Sequence, residues 1–148
     1  MDRELPLRIV VIAPPKGVTF RVQRGKSELV PPFVVSDDFT SFEVSVRVRP
    51  GNDGSPNFLG PCAQGPPNAR FIYINSGTLA GDPTSCWTRR AKVHLAGITW
   101  ELIESALDTT DGIVEVQIAG TGRDGGPACA TVPLLGRGWK VVSRENRP

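Results

Sequence analysis

Eight residues, Phe42-Glu-Val-Ser-Val-Arg-Val-Arg49, alternate apolar and polar without a break. Phe42, Val44, Val46 and Val48 fall on one side, Glu43, Ser45, Arg47 and Arg49 on the other. A period of two is that of a β-strand, whose successive side chains point to opposite faces. The segment therefore predicts a strand with one face in a core and the other in water. The two arginines lie two residue rises apart on the wet face, a spacing that keeps their repulsion tolerable. A strand of this kind needs a second apolar layer, and the rest of the chain must supply it.

Several segments offer that layer. Leu7 to Ile12 is a short, mostly β-branched apolar run stopped by Pro14-Pro15. Val18 to Gln23 alternates, and Lys16-Gly17 between these two runs fits a tight hairpin. Gly25 to Pro32 reads as a loop. Phe71 to Ile74 is apolar throughout and predicts a central strand, with Asn75-Ser-Gly77 and Ala80 to Pro83 as turns. Ala91 to Leu95 alternates again, with Val93 and Leu95 opposite Lys92 and His94. Ile113 to Ala119, Ala128 to Leu135 and Trp139 to Val142 complete the strands, the last two joined through Gly136-Arg-Gly138 as a hairpin.

One helix is expected, over residues 99–108. Thr99 is a suitable N-cap, with Ile98 and Ile103 at the staple positions around it. Trp100, Ile103 and Leu107 share a face, with Ala106 beside them, and Asp111-Gly112 makes the following turn. A helix this short is marginal alone and must pack on a sheet. These elements make a mainly β domain (β-rich α+β), an antiparallel barrel or sandwich of about seven strands with one packed helix. The 148 residues suit a single domain, with an ordered core over 5–142 and a polar tail, 143–148, that frays.

Two glycine- and proline-rich stretches punctuate this frame. Pro50 to Asn68 has no usable period; it carries Phe58, Leu59 and Cys62 and is expected to pack on the domain as a long loop or lid. Gly120-Thr-Gly-Arg-Asp-Gly-Gly-Pro127 joins two strand-like runs. Its glycines match GxGxxG, but Gly126-Pro127 and β-type sequence follow where a dinucleotide site requires a helix. A bulged loop is the simpler reading. A nest of N–H groups for an anion, with Arg123 as counter-charge, is the functional one.

Composition removes several function classes. With 17 basic and 15 acidic residues the chain lacks the strongly basic balance of a nucleic-acid binder, and no nucleic-acid partner is expected. The charged N-terminus has no apolar h-region and no run reaches the ~20 apolar residues of a membrane span, so a cytoplasmic, membrane-free protein is expected. Cys62, Cys86 and Cys129 are widely spaced and odd in number, which suits neither a disulfide framework nor a CxxC metal site. With one histidine, His94, neither a metal nor a cofactor is expected.

The remaining polar residues frame three functional readings. Asn57, Gln64, Arg70, Tyr73 and Asn75 lie on or beside the long loop and its strand. Trp87, Arg89 and Arg90 follow at the next strand, and Arg123 and Asp124 sit in the second loop. Guanidinium forks suit carboxylate and phosphate, so the first reading is a domain that binds a small anionic ligand through its loops. The second is a metal-independent isomerase or lyase in a barrel mouth, with Tyr73, Asp124 or His94 carrying the proton. The third is a protein-interaction module presenting an edge strand. For most of these residues the plainer assignment is surface charge, or amides satisfying loop backbone.

Pro56 to Gly77, Trp87-Thr-Arg-Arg-Ala-Lys-Val93, Leu95 to Trp100, Ile118 to Val132 and the opening Leu5-Pro-Leu-Arg-Ile-Val together resemble the DUF5990 family of uncharacterised bacterial proteins. The resemblance spans Leu5 to about Val142. It implies a bacterial origin and a single folded unit, and it carries over no activity and no catalytic residue.

Overall fold

A computed structural model describes residues 2–12, 14, 17, 19–24, 27–59, 71–76, 90–95, 97–119, 131–132 and 138–144. Its strands are β1 (Arg3–Ile12), β2 (Thr19–Arg24), β3 (Ser27–Glu28), β4 (Phe33–Val34), β5 (Phe39–Pro50), β6 (Pro56–Phe58), β7 (Phe71–Ser76), β8 (Arg90–His94), β9 (Gly112–Ala119), β10 (Thr131–Val132) and β11 (Lys140–Ser143). The helix α1 (Trp100–Leu107) lies between β8 and β9. The first sheet runs β11-β9-β1-β5-β6; the second runs β10-β8-β7-β2-β3, with β4 also on β2. The fold is mainly β, as expected. Of the two architectures left open, the two-sheet sandwich fits, and the described strands close no barrel.

The alternation of β5 is realised as read: Phe42, Val44, Val46 and Val48 are buried and Glu43, Ser45, Arg47 and Arg49 exposed. β5 pairs antiparallel with β1, so Arg47 faces Glu4 across the ladder. Arg49 Nε and Nη2 donate to the two carboxylate oxygens of Asp2 at 2.8 and 3.1 Å. The wet-face arginines are thus neutralised across the strands rather than merely kept apart. β1 also pairs parallel with β9, which makes it the centre of its sheet. Central strands buried on both faces lose their alternation. Accordingly Leu7 through Val11 are all buried.

Leu5, Leu7, Ile9 and Val11 of β1 meet the inward residues of β5 and β9 and, from the second sheet, Phe20, Val22, Ile72, Ile74 and Val93 in one apolar cluster. Each such side chain contributes roughly 1.5–3 kcal/mol by leaving water. Phe33 bridges the sheets, with ring centroids 5.8 Å from Phe20 on β2 and 5.8 Å from Phe42 on β5. The helix starts where expected: Thr99 is extended and its side chain accepts from the Leu102 N–H at 3.3 Å. Ile98 and Ile103 are both buried, and Ile103 and Ala106 carry α1 into the same cluster. The helix packs on β9, β11 and β1.

Several local expectations are corrected. Lys16-Gly17 does not close a hairpin, because β1 and β2 belong to different sheets; Gly17, at φ 85°, instead donates its N–H to the Val35 carbonyl at 2.8 Å. The Gly136–Gly138 hairpin fails for the same reason, β10 lying beside β8 and β11 beside β9. Asn75 and Ser76 continue β7 instead of turning. Within the two presumed loops, β3 pairs with β2, and β6 pairs back on β5 through a turn in which the Gly51 N–H donates to the Ser55 carbonyl at 2.7 Å. At the C-terminus, Ser143 closes β11 and the Arg144 N–H donates to the Asp111 carbonyl at 2.7 Å, so the chain is held through residue 144. No helix among the described residues is long and apolar enough to cross a membrane.

Candidate functional site

The second sheet gathers part of the predicted site on its outward face. Val22, Ile72, Ile74 and Val93 point into the core, so by the period of two Arg21, Gln23, Phe71, Tyr73 and His94 take the opposite side. The pairing of β2, β7 and β8 sets these positions in register. Arg21 faces Asn75, which faces Arg90; Gln23 faces Tyr73, which faces Lys92; Phe71 faces His94. Three of the expected residues, Tyr73, Asn75 and Arg90, therefore occupy adjacent positions of two neighbouring strands.

The aromatic side of this face is packed. Tyr73 is only 8% exposed although it projects away from the inter-sheet core. The Phe71 ring lies 6.0 Å from Tyr73 and 4.1 Å from the His94 ring, meeting the latter edge-on at 68°. The His94 carbonyl accepts from Trp139 Nε1 at 2.9 Å, tying the end of β8 to the start of β11 across the two sheets. Arg21 Nη1 donates to Glu28 Oε1 of β3 at 2.9 Å.

Asn57 is not part of this group. It sits on β6, exposed, in register with Arg49 on the other sheet. Gln64, Arg70, Trp87, Arg89, Arg123 and Asp124 lie outside the described residues, as do Cys62, Cys86, Cys129 and the Gly120–Pro127 segment. Among the described residues, no group of three or more His, Cys, Asp or Glu is placed to hold a metal ion.

The described residues hold two further polar features. The first is a buried charge network on the first sheet. Arg8 of β1, 3% exposed in its side chain, donates through Nη1 to Glu115 Oε2 of β9, 5% exposed, at 3.0 Å. Its Nη2 donates to the Arg144 carbonyl at 2.7 Å and lies 3.9 Å from Glu43 Oε2, while Arg144 Nε reaches Glu43 Oε1 at 3.2 Å. Register makes this a row of alternating sign across four strands: Lys140, Glu115, Arg8, Glu43. Arg8 and Glu115, the two buried members, satisfy each other out of water, which makes the pair a structural feature of the sheet.

The second feature is a cleft of about 340 Å³ lined by Glu4, Arg24, Ser27, Glu28, Leu29, Ser45 and Arg47. Arg24 is 2% exposed, and burial pulls its guanidinium down to about 10. Glu4 is fixed by Ser45, whose hydroxyl donates to it at 2.7 Å, and by Arg47 Nε at 3.7 Å.

The model of a family of unknown function, DUF5990, matches residues 5–142. The chain belongs to that family. No curated protein and no solved structure matches it.

Sequence reasoning about this DUF5990 chain missed Arg8, Glu115 and Arg24. The signals were present. Glu115 is the one charge of β9 and Arg8 the one charge of the run Leu5 to Ile12, and a central strand leaves such a charge no route to water. Arg24 extends the Phe20, Val22 alternation by one further step, which places it inward rather than in a loop.

Proposed function

We propose that this DUF5990 protein binds a small anion, a phosphate ester or a carboxylate, on the outward face of β2, β7 and β8. The supporting observation is the register. Arg21, Asn75 and Arg90 form one row and Gln23, Tyr73 and Lys92 the next, so three basic residues and two amides adjoin a tyrosine. No acidic residue occupies these six positions. Glu28 pairs with Arg21, so this reading assigns the ligand's charge to the Arg90 and Lys92 positions of β8. Guanidinium groups are suited to carboxylate and phosphate oxygens through charge-assisted, often bidentate, hydrogen bonds.

A thermal-shift panel of phosphate monoesters and short dicarboxylates tests this reading. A ligand at about 100-fold its dissociation constant adds about 2.7 kcal/mol, which in a domain of this size raises Tm by about 5–10 °C. Arg90→Gln is expected to abolish the shift. A panel without stabilisers, or a shift that persists in Arg90→Gln, removes the reading.

A further inference from the structure

The cleft between β1, β2, β3 and β5 differs in character from the outward face of the second sheet. Its walls carry two cations, Arg24 and Arg47, and two anions, Glu4 and Glu28. A balanced wall gives no net field to draw in a phosphate or any other purely anionic ligand. It offers instead separated charges of both signs. Both carboxylates are already oriented: Glu4 by Ser45 and Arg47, Glu28 by Arg21. Held groups lose little freedom when a ligand arrives, which favours binding.

Arg24 distinguishes this cleft from an ordinary surface groove. Its side chain continues the buried register of Phe20 and Val22, yet it lines the cleft. Burial of a guanidinium is costly, as the pull of Arg24 down to about 10 records. The guanidinium has five N–H donors, more than one partner saturates, and its planar fork matches a carboxylate. Leu29, partly buried against the core, adds an apolar wall beside it. The volume, about 340 Å³, lies at the small end of ligand pockets and suits a single small molecule rather than a polymer segment.

We propose that this cleft is a binding site for a small zwitterion of the free amino-acid class, its carboxylate on Arg24 and its ammonium group on Glu4 and Glu28. The side chain of the ligand then lies along Leu29. Ser27 and Ser45 supply hydroxyls on the walls.

Calorimetric titration of the full chain tests the assignment, with the twenty free amino acids and with N-acetylated and C-amidated forms of any that bind. At least one free amino acid is expected to bind with a dissociation constant of about 1 mM or tighter, and capping either end is expected to weaken it by about tenfold or more. Arg24→Gln and Glu4→Gln are expected to weaken the free form by a similar factor while leaving anion binding on the other face unchanged. Absence of binding by all twenty overturns the proposal, and so does equal binding of free and capped forms. Should Arg24→Gln fail to fold, amide chemical shifts of the wild-type protein decide: perturbation at Ser27, Leu29 and Ser45 supports the site, and perturbation confined to other strands rejects it.

Discussion

Arg8 and Glu115 join the two parallel strands at the centre of the first sheet through a 3.0 Å ion pair that is almost wholly out of water. A pair in that position is costly to make and more costly to break. Removing one partner strands a buried charge, a loss of about 3–5 kcal/mol. Glu115→Ala and Arg8→Met are each expected to lose that amount in urea denaturation. The double variant Arg8→Met/Glu115→Leu is expected to recover most of it, because neither charge is then left behind. If the single variants are as stable as the double, Arg8 and Glu115 are not energetically coupled.

Asp2 and Arg49 make the contrasting, exposed pair. The hydrogen bonds from Arg49, with its charge close by, hold the Asp2 carboxyl below its usual value of 3.8. A lowered folded-state value means that the pair contributes above pH 3.8 and that the contribution is lost as pH falls below it. The Asp2 carboxyl carbon, followed by NMR, should titrate with a midpoint under 3.8, and Arg49→Gln should move it back up. Because the pair is solvated, moderate salt should erode most of the shift. A midpoint unchanged by Arg49→Gln would assign the depression to another group.

How legible the molecule was depends on where each strand sits. β5 was readable because one face is wet, and its Glu43, Ser45, Arg47 and Arg49 record that face residue by residue. α1 was readable because Thr99, Ile98 and Ile103 signal a helix start through local contacts alone. Strand pairing was not readable. Lys16-Gly17 and Gly136-Arg-Gly138 have turn chemistry, but the same residues serve a chain that reverses within a sheet and one that crosses to the other sheet. What decides is whether Leu7 to Val11 gains more between β5 and β9 than beside β2, and that is a long-range comparison. The candidate site divided likewise. Tyr73, Asn75 and Arg90 came together through one strand period and one ladder, whereas Asn57 was separated from them by a pairing, β5 with β6, that no local signal announces.

The turn from α1 into β9 leaves no room at Gly112. A Cβ there would lie 2.8 Å from the Ala106 carbonyl oxygen and 3.0 Å from the Thr109 Cβ. The nearer neighbour is helix backbone, which cannot swing aside as a side chain can. Gly112→Ala is therefore expected to cost about 1–3 kcal/mol, as overpacking does, and to lower Tm by about 2–4 °C for each kcal/mol. Gly54→Ala provides the comparison: nothing lies within 4 Å of its Cβ, but its φ of +85° is unfavourable for any residue with a side chain. Thr109→Ser should not rescue Gly112→Ala, since the obstructing oxygen remains. Full stability of Gly112→Ala in thermal denaturation would mean that the helix end yields.

Arg24 sets a pH signature at the alkaline end. Its folded-state value, about 10, lies below the ordinary arginine value because burial disfavours the charged form. The sign follows from proton counting: between the two values the unfolded chain keeps a proton that the folded chain has released, so stability rises with pH there. Below pH 10 both states are charged and the full cost of burial is present. Wild type should therefore gain stability relative to Arg24→Gln as pH rises from 9 to 11, measured by urea denaturation at each pH, whichever protein is the more stable at pH 9. A stability difference that stays constant over this range would show that the Arg24 guanidinium keeps an ordinary proton affinity despite its burial.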